Sequence, residues 1–435
     1  MFIRTVVATG LQDPYEIVWG PGGQLWVTEK SGLRVTRVDP VSGARSTALD
    51  LSGTAFHARG GQDGLLGLAF HPSGRYAYVS YTYQTTVPDP VTGETRRLTI
   101  ARYTVDRTTY TLIDPRTLLA GLPSSSDHQS ARLRFGPDGK LYYTIGDQGA
   151  NQFAYACRPN QAQRLPTAAE VEAGDWSAYQ GKTLRINVDG SIPSSNPVVN
   201  GVRSHVYTYG HRNPQGMDFG AHGLLYEAEQ GPKTDDEINV VQRGNNYGWP
   251  YVAGRRDDKA YVYGDWSQSA PTPCTDLTYD DATLPSTVPQ QKETDWKGRS
   301  VAPISTIGTT VDNGYDFRDP ACADGGRFFI CYPTVAPSSL SYYRGGIDGW
   351  GRSLVVTSLK DGSVYKLGLT ANGKRIVNID RMWTSQNRYR DTAFSPDGRT
   401  IYVATDSAGL VRGADGAPTT ELTEPGSILA FRAVR

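Results

Sequence analysis

One pattern of apolar and polar positions recurs along the chain: an apolar residue, a Pro/Gly turn, then an alternating segment that carries Tyr or Trp. It reads WGPGGQLWVTE from Trp19 and AFHPSGRYAYVSY from Ala69. It returns as RFGPDGKLYYTIGD from Arg134 and, more degenerate, as DFGAHGLLYEAEQG from Asp218. GWGRSLVVTSLKDG from Gly349 is a variant, and AFSPDGRTIYVATD from Ala393 is the last. Alternation gives a strand one buried face and the Pro-x-Gly turn sets a tight connection, so each copy predicts a β-hairpin. A lone hairpin is marginal, so the copies must pack side by side. Repeats of four-stranded units at about 40–50 residues mark propeller blades. The six copies therefore predict an all-β fold, a six-bladed β-propeller with long loop insertions. Residues 1–435 form one domain in this reading, with loops gathered at one end of a central channel. Closing the ring removes long exposed strand edges. A pair of β-sandwiches is the alternative, but it offers no reason for six similar hairpins.

Two irregular regions interrupt the pattern. Cys157 to Tyr179 contains PTAAEVEAGDW, where Thr167 is placed to cap a short helix with Glu170 at its third position. Arg255 to Arg299 is rich in Pro, Thr, Ser, Asp and Gln. It reads as a long ordered insertion, because no separate hydrophobic segment follows that would form another domain.

Composition narrows the function classes. With 48 Gly and 27 Pro in 435 residues, turn chemistry dominates over helix. The 44 basic and 44 acidic residues cancel, so no basic face for nucleic acid is implied. No apolar run approaches the length of a membrane span. Met-Phe-Ile-Arg-Thr-Val-Val at the start lacks the regions of a signal peptide, so an export signal is expected to lie outside this chain. Cys157, Cys274, Cys322 and Cys331 allow three connectivities. Cys322 and Cys331 flank a short Gly-containing segment that a local bridge would close.

The candidate chemistry lies just outside the repeat strands. Asp127, His128 and Gln129 precede the third hairpin, and Asp147, Gln148 and Gln152 follow it. His is the side chain best suited to accept a proton near neutral pH. Gln62 precedes the second hairpin, Arg212 and Asn213 the fourth, and Arg388 and Arg390 the sixth, while Lys360 follows the fifth. In a propeller these positions converge. A pocket with four cations and few acids calls for an anionic ligand bearing several carboxylates or phosphates, which Arg grips bidentately. The alternative is that each Arg pairs with a surface acid. Asp236, Glu237, Asp257 and Glu293 offer oxygen ligands for Ca²⁺, although solvated acids have the same look. The other histidines show no metal-binding spacing. No GxGxxG opens a helix, which argues against NAD or FAD.

Read together, GQDGLLGLAFHP, GLPSSSDHQS, YYTIGDQGANQ, PNQAQ, GHRNPQG, EQGPKTDDEIN, NNYGWP, CYPTVAPSS and NRYRD closely resemble the soluble quinoprotein glucose dehydrogenases. These use pyrroloquinoline quinone (PQQ) and calcium. The resemblance runs from about Leu11 to the C-terminus, with the motifs in order. It implies a six-bladed propeller that oxidises glucose or other aldoses at C1 to the lactone and passes electrons to an external acceptor. His128 matches the general base and Asp127 the residue that orients it. Gln62 and Gln152 match sugar contacts, and Arg212 the cation beside the reacting quinone carbonyl. Asn213, Lys360, Arg388 and Arg390 match cofactor contacts. The carbonyls of Gly231 and Pro232 match ligands of the catalytic calcium. Asp236, Glu237, Tyr247, Ala253, Asp257 and Glu293 match a structural calcium pair, and Cys322–Cys331 the family disulfide. A periplasmic or secreted location and a homodimer follow by the same resemblance. Phe153, Phe329 and Tyr332 depart from it, standing where familiar members have Leu, Tyr and Trp on the sugar side. Arg327–Phe328 is a short insertion. Cys157 and Cys274 have no counterpart, and their pairing stays open. Two readings of other classes are a calcium-binding propeller hydrolase, such as a lactonase, and a non-catalytic binding propeller. Retention of His128, Arg212, Lys360, Arg388 and Arg390 favours the dehydrogenase.

Overall fold

Each repeat hairpin supplies the first two strands of a four-stranded antiparallel sheet. The computed structural model describes residues 1–434, and it contains six such sheets. The first begins Pro14–Gly20, Gln24–Glu29 and continues through Arg34–Val38 and Arg45–Asp50. The first strands of the following sheets are Leu65–Phe70, Ser130–Phe135, Pro214–Phe219, Pro337–Tyr343 and Tyr389–Phe394. These six first strands pack against one another in sequence order, and the last returns to the first. The result is a six-bladed propeller. The ring is closed by the chain's own beginning: Phe2–Ala8 runs antiparallel to Ile428–Ala433 as the outer strand of the sixth blade.

Alternation is weaker than the sequence pattern predicts. Every residue of Leu141–Ile145, Leu225–Glu229 and Ser353–Ser358 is buried. A middle strand of a blade is covered on both faces by neighbouring blades, so it has no wet side. Between the second and third blades, Leu66, Leu98, Ile100, Leu133, Tyr143 and Leu184 form one apolar layer. Outer strands keep a wet face, as in Ile376–Met382.

The insertions are ordered. Thr167 accepts a hydrogen bond from the Glu170 amide, and the Glu170 carboxylate accepts one from the Thr167 amide at 2.8 Å, capping the helix Ala168–Ala173. Gly174 ends it at φ 67°, where a side chain would be strained. Residues 242–304 loop out between Glu237–Val241 and Ser305–Thr306, the third and fourth strands of the fourth blade. Both cysteine pairs are bridged, Cys157–Cys274 and Cys322–Cys331. Among the described residues no helix is long and apolar enough to cross a membrane.

The blades are also joined across the axis by one side chain. Arg132, on the first strand of the third blade, is fully buried. Its Nε donates to the Gln215 carbonyl of the fourth blade at 2.8 Å. Its Nη2 donates to the Ser338 carbonyl of the fifth at 2.8 Å. Its Nη1 meets Asp391 of the sixth at 3.1 Å and Glu16 of the first at 2.9 Å. The guanidinium also lies 4.9 Å from the centre of the Tyr15 ring. Burial works to lower its pKa, but Asp391 and Glu16 outweigh that and hold the charge more firmly than usual. Removing one partner of a buried ionic cluster leaves uncompensated charge and costs about 3–5 kcal/mol. Arg132→Met is therefore expected to lower unfolding free energy by roughly that amount, read as a shifted midpoint in urea denaturation. A shift below about 1 kcal/mol, the worth of a surface pair, would show that the blades are joined without it.

Candidate active site

The six blades feed one cavity of about 520 Å³. Its walls come from two kinds of position: the residues entering each first strand and those leaving each second strand. Asp13, Gln62, Asp127, His128, Arg212 and Arg388 belong to the first kind. Lys30, Gln230, Lys360 and Asp406 belong to the second. The same hairpin that repeats in the sequence thus delivers polar side chains to one end of the channel.

His128 sits on a turn of left-handed backbone, with φ 42°, followed by Ser130 at 57° and Ala131 at 74°. This irregularity breaks the ladder between Ser130 and Leu133. Its Nδ1 lies 2.7 Å from Asp147 Oδ1. Asp147 is fully buried and also accepts from Trp249 Nε1 at 2.7 Å and Asn160 Nδ2 at 3.0 Å. Asp147 accepts from two N–H donors at its other oxygen, so it serves as the acceptor toward Nδ1–H as well. That leaves Nε2, which meets Gln152 Nε2 at 2.9 Å, as the acceptor nitrogen a general base needs.

Asp147, not Asp127, therefore orients the imidazole, against the sequence expectation. Ser130 pairs with Ile145 across the hairpin, which brings residues 128 and 147 together. Asp127 faces the cavity instead, with Oδ1 3.9 Å from His128 Nε2, and accepts from Gln62 Nε2 at 2.7 Å.

Gln152 links this base to Arg212. Its Nε2 lies 2.9 Å from His128 Nε2, and its Oε1 accepts from Arg212 Nη2 at 2.6 Å. Arg212 Nη1 donates to the Gly231 carbonyl at 2.8 Å, while the buried Nε has no hydrogen-bond partner. The Arg212 backbone is pinned at both ends, with its N–H on Glu229 and its carbonyl accepting from the Asp147 amide at 2.8 Å. Beneath it, burial works to lower the His211 pKa, but Glu227 and Glu229 raise it to about 10. That imidazolium, 2.9 Å and 3.0 Å from the two carboxylates, accounts for the fully buried His211–Glu227–Glu229 cluster.

The cationic end is more mixed than the sequence predicts. Asp13, Asp127, Asp236 and Asp406 line the cavity alongside Lys30, Arg212, Lys360, Arg388 and Arg390. Arg390 grips Asp406 bidentately at 2.7 Å and 2.8 Å, and Arg388 Nε donates to the same carboxylate at 3.0 Å. Burial works to raise the Asp406 carboxyl, yet Arg390 and Arg388 hold it at about 2. Asn213, expected as a cofactor contact, is instead fully buried behind the cavity lining, where it reaches Ser130, Gln215 and Gln230. Lys360 Nζ donates to the Phe329 carbonyl at 2.7 Å and to Thr334. Burial first, then Arg412, lowers its pKa to about 7. Lys30 and Asp406 were not singled out in the sequence, and Asp147 was named there without this role; each leaves a second strand, as Lys360 does.

The model of the glucose/sorbosone dehydrogenase family matches residues 11–301 and 324–412. The chain belongs to that family. Quinoprotein glucose dehydrogenase B of Acinetobacter calcoaceticus is 46% identical over 439 residues, spanning 99% of this chain and 91% of that protein. An aldose sugar dehydrogenase of Escherichia coli is 28% identical over 68% of this chain and 62% of its own length. Among solved structures, the PQQ-bound aldose sugar dehydrogenase of Streptomyces coelicolor superposes with a TM-score of 0.63 at 22% identity. That comparison covers 99% of this chain and 98% of the other, and it shows a shared fold.

Two expected placements change in the structure. Asp236 does not join Glu237: neighbours in extended chain point oppositely. Its carboxylate faces the cavity and accepts from the Gly231 amide at 2.9 Å, beside Pro232. Asp235 takes the other side with Glu237, Ala253, Asp257 and Glu293. Glu237 accepts from the Gly254 amide at 2.6 Å and Glu293 from the Ala253 amide at 2.9 Å. Burial, then Asp257, raises Asp235 to about 6, and the same two causes raise Glu293 to about 7. Tyr247 lies next to this group, with its hydroxyl on the Val240 carbonyl at 2.7 Å. Tyr332 is the second change. Phe153 and Phe329 line the cavity, but Tyr332 is buried behind it, donating to Asp281 Oδ1 at 2.6 Å.

The Lys360 shift has a measurable consequence. A carboxylate brought to Nζ restores the ammonium and pulls its pKa back toward 10.5. Between pH 7 and 10.5, binding must therefore take up a proton. Calorimetry with a benzene tricarboxylate at pH 8, in buffers of differing ionisation enthalpy, is expected to show uptake approaching about one proton. Lys360→Met abolishes that uptake.

Proposed function

We propose that this protein is a PQQ- and Ca²⁺-dependent dehydrogenase that oxidises aldoses, glucose first, at C1 to the lactone and passes the electrons to an external acceptor. The observation that carries this reading is the chain Asp147–His128–Gln152–Arg212 along one wall of the cavity. It sets a proton acceptor and a cation side by side, as removal of a hydroxyl proton with departure of a hydride requires.

The cavity fits the two groups. Its volume lies in the range of about 300–1,000 Å³ typical of small-molecule sites. Lys360, Arg388 and Arg390 offer donors for carboxylates at one end, and the Arg212 guanidinium lines the other. Bound there, the quinone supplies the two-electron acceptor, and Ca²⁺ at the carbonyls of Gly231 and Pro232 supplies Lewis acidity. Asp236 holds the Gly231 turn. A structural calcium pair is supported at Glu237, Tyr247, Ala253, Asp257 and Glu293, with Asp235 in place of Asp236. Buried carboxylates crowded without a base need a cation.

The chain's own residues do the rest. Asp127, Gln62 and Gln152 hold sugar hydroxyls. Asp147 fixes the ring and tautomer of His128, whose Nε2 takes the C1 hydroxyl proton. Arg212 stabilises negative charge that develops beside it. Phe153 and Phe329 pack against the apolar face of the sugar. The protein works as one propeller domain, secreted or periplasmic, and as a homodimer in this reading.

Adding PQQ and Ca²⁺ to apo-protein is expected to produce glucose-dependent dye reduction, and chelation is expected to abolish it reversibly. Full turnover without quinone or metal sinks the proposal. Calcium retention, read by atomic absorption, is expected to fall as pH drops below neutral, because burial and Asp257 raise the Glu293 and Asp235 carboxyls and protons then compete with the metal.

The residue roles separate in steady-state kinetics. His128→Ala is expected to lower kcat by about 10²–10⁴-fold with cofactor affinity kept. Asp147→Asn is expected to lower kcat with little change in sugar KM, because the carboxylate bonds His128, Trp249 and Asn160 and lies outside the sugar contacts. Arg388→Ala shows the reverse, weak cofactor retention with normal turnover when saturated. If His128→Ala and Arg388→Ala behave alike in a reconstitution titration, the roles are misassigned.

A further inference from the structure

We propose that residues 264–284, stapled by Cys157–Cys274, are a positioning element that sets sugar selectivity by fixing the two phenylalanines at the cavity mouth. This rests on the sugar-oxidising reading above. Phe153 and Phe329 line the cavity with rings 6.3 Å apart, and both are unusually exposed for their size, at 48% and 38%. Neither is held by its own strand. Phe153 opens a short turn at φ 44°, a conformation that a bulky side chain keeps only when its surroundings impose it.

Those surroundings come from the insertion. The Phe153 ring packs on Tyr279 at 5.0 Å, and Tyr279 packs on the buried Trp266 at 5.0 Å. Asn151 ties the same turn down twice, donating to the Gly264 carbonyl and accepting from the Trp266 amide, both at 2.8 Å. Cys157 closes the turn's other end onto Cys274, with Cα atoms 5.5 Å apart across 117 residues of chain. Phe329 is reached from the same segment. Tyr332, three residues beyond it, donates to Asp281 Oδ1 at 2.6 Å, and Lys233 Nζ donates to the Asp281 carbonyl at 2.8 Å. Tyr279 thus packs directly on Phe153, and Asp281 reaches the Phe329 turn through Tyr332, beside the Lys360 hydrogen bond to the Phe329 carbonyl. Ala156, Val288, Leu277 and Leu284 give the segment its own small apolar core with Trp266.

A wall fixed this way selects between sugars by fit, while His128 and Arg212 hang from other strands and Gln152, beside Phe153, is held to both by its own hydrogen bonds. The expected signature is a change in KM and in sugar ranking, not in kcat. The test uses the reconstituted holoenzyme carrying Cys157→Ser with Cys274→Ser, and separately Tyr279→Leu, which keeps the bridge. Glucose KM is expected to rise about three- to tenfold, the worth of one aromatic contact, with the ranking of glucose against a glucosyl disaccharide altered. The value of kcat is expected to stay within about twofold. Hydrogen exchange in the ligand-free variants is expected to quicken in residues 149–158 and 327–333. Faster exchange confined to 264–284 with KM unchanged overturns the proposal and leaves the bridge a purely stabilising one. So does a fall in kcat at constant KM. If the wild-type holoenzyme turns over no sugar, the functional reading fails, while the exchange data still decide whether the segment positions both rings.

Discussion

The buried guanidinium of Arg132 is the contact on which the propeller's centre depends. Sheets in a ring pack face to face through apolar layers, which are slippery and say little about register between blades. Arg132 reaches carbonyl or carboxylate oxygens of the fourth, fifth, sixth and first blades from the third. Each of those bonds has a direction, so together they fix how the first strands stand relative to one another. Asp391 extends the same device by accepting from the Ile17 amide at 2.9 Å. Buried charge is costly unless it is paired, and here two carboxylates and two carbonyls surround the guanidinium. A cavity whose walls come from all six blades needs such an anchor, since a small rotation of one blade would separate His128 from Arg212.

The site above that hub runs on the same economy of buried polar groups. Asp147 holds His128, Gln152 holds His128 and Arg212, and Glu229 holds the Arg212 backbone. The backbone of Arg212 in turn accepts from Asp147, so the base and the cation share one closed circuit. At the far end Asp406 neutralises part of the charge of Arg388 and Arg390. The cavity is therefore not simply cationic. It presents donors held in fixed directions, and orientation rather than excess charge selects a rigid anionic ligand.

How much of this was legible in the sequence follows from which residues obey the repeat. Six Pro/Gly-turn hairpins were enough to read the blades, because turn chemistry and alternation are local. Gln62, His128, Arg212, Lys360, Arg388 and Arg390 were readable as a pocket because each stands at a strand end of its repeat hairpin that faces the same way. The resemblance to quinoprotein dehydrogenases, carried by runs such as GHRNPQG and NRYRD, added roles that no spacing could supply. Asp147 was in view within the loop after the third hairpin, but its role belonged to pairing across the ladder, and Asp127, adjacent to His128, took its place.

By itself the sequence determined the fold class, the blade count, the polar ends of the hairpins and the helix cap at Thr167, all of which rest on interactions within a few residues. Only the tertiary structure decided the rest. Asp236 turns to the cavity and Asp235 away from it because a backbone turn, not composition, assigns faces. Tyr332 withdraws behind the wall because Asp281, some fifty residues earlier, offers its hydroxyl a partner. Cys157 finds Cys274 because two insertions from different blades fold onto each other. Partners so distant in sequence leave no periodic mark, and their encounter is fixed by how the blades pack.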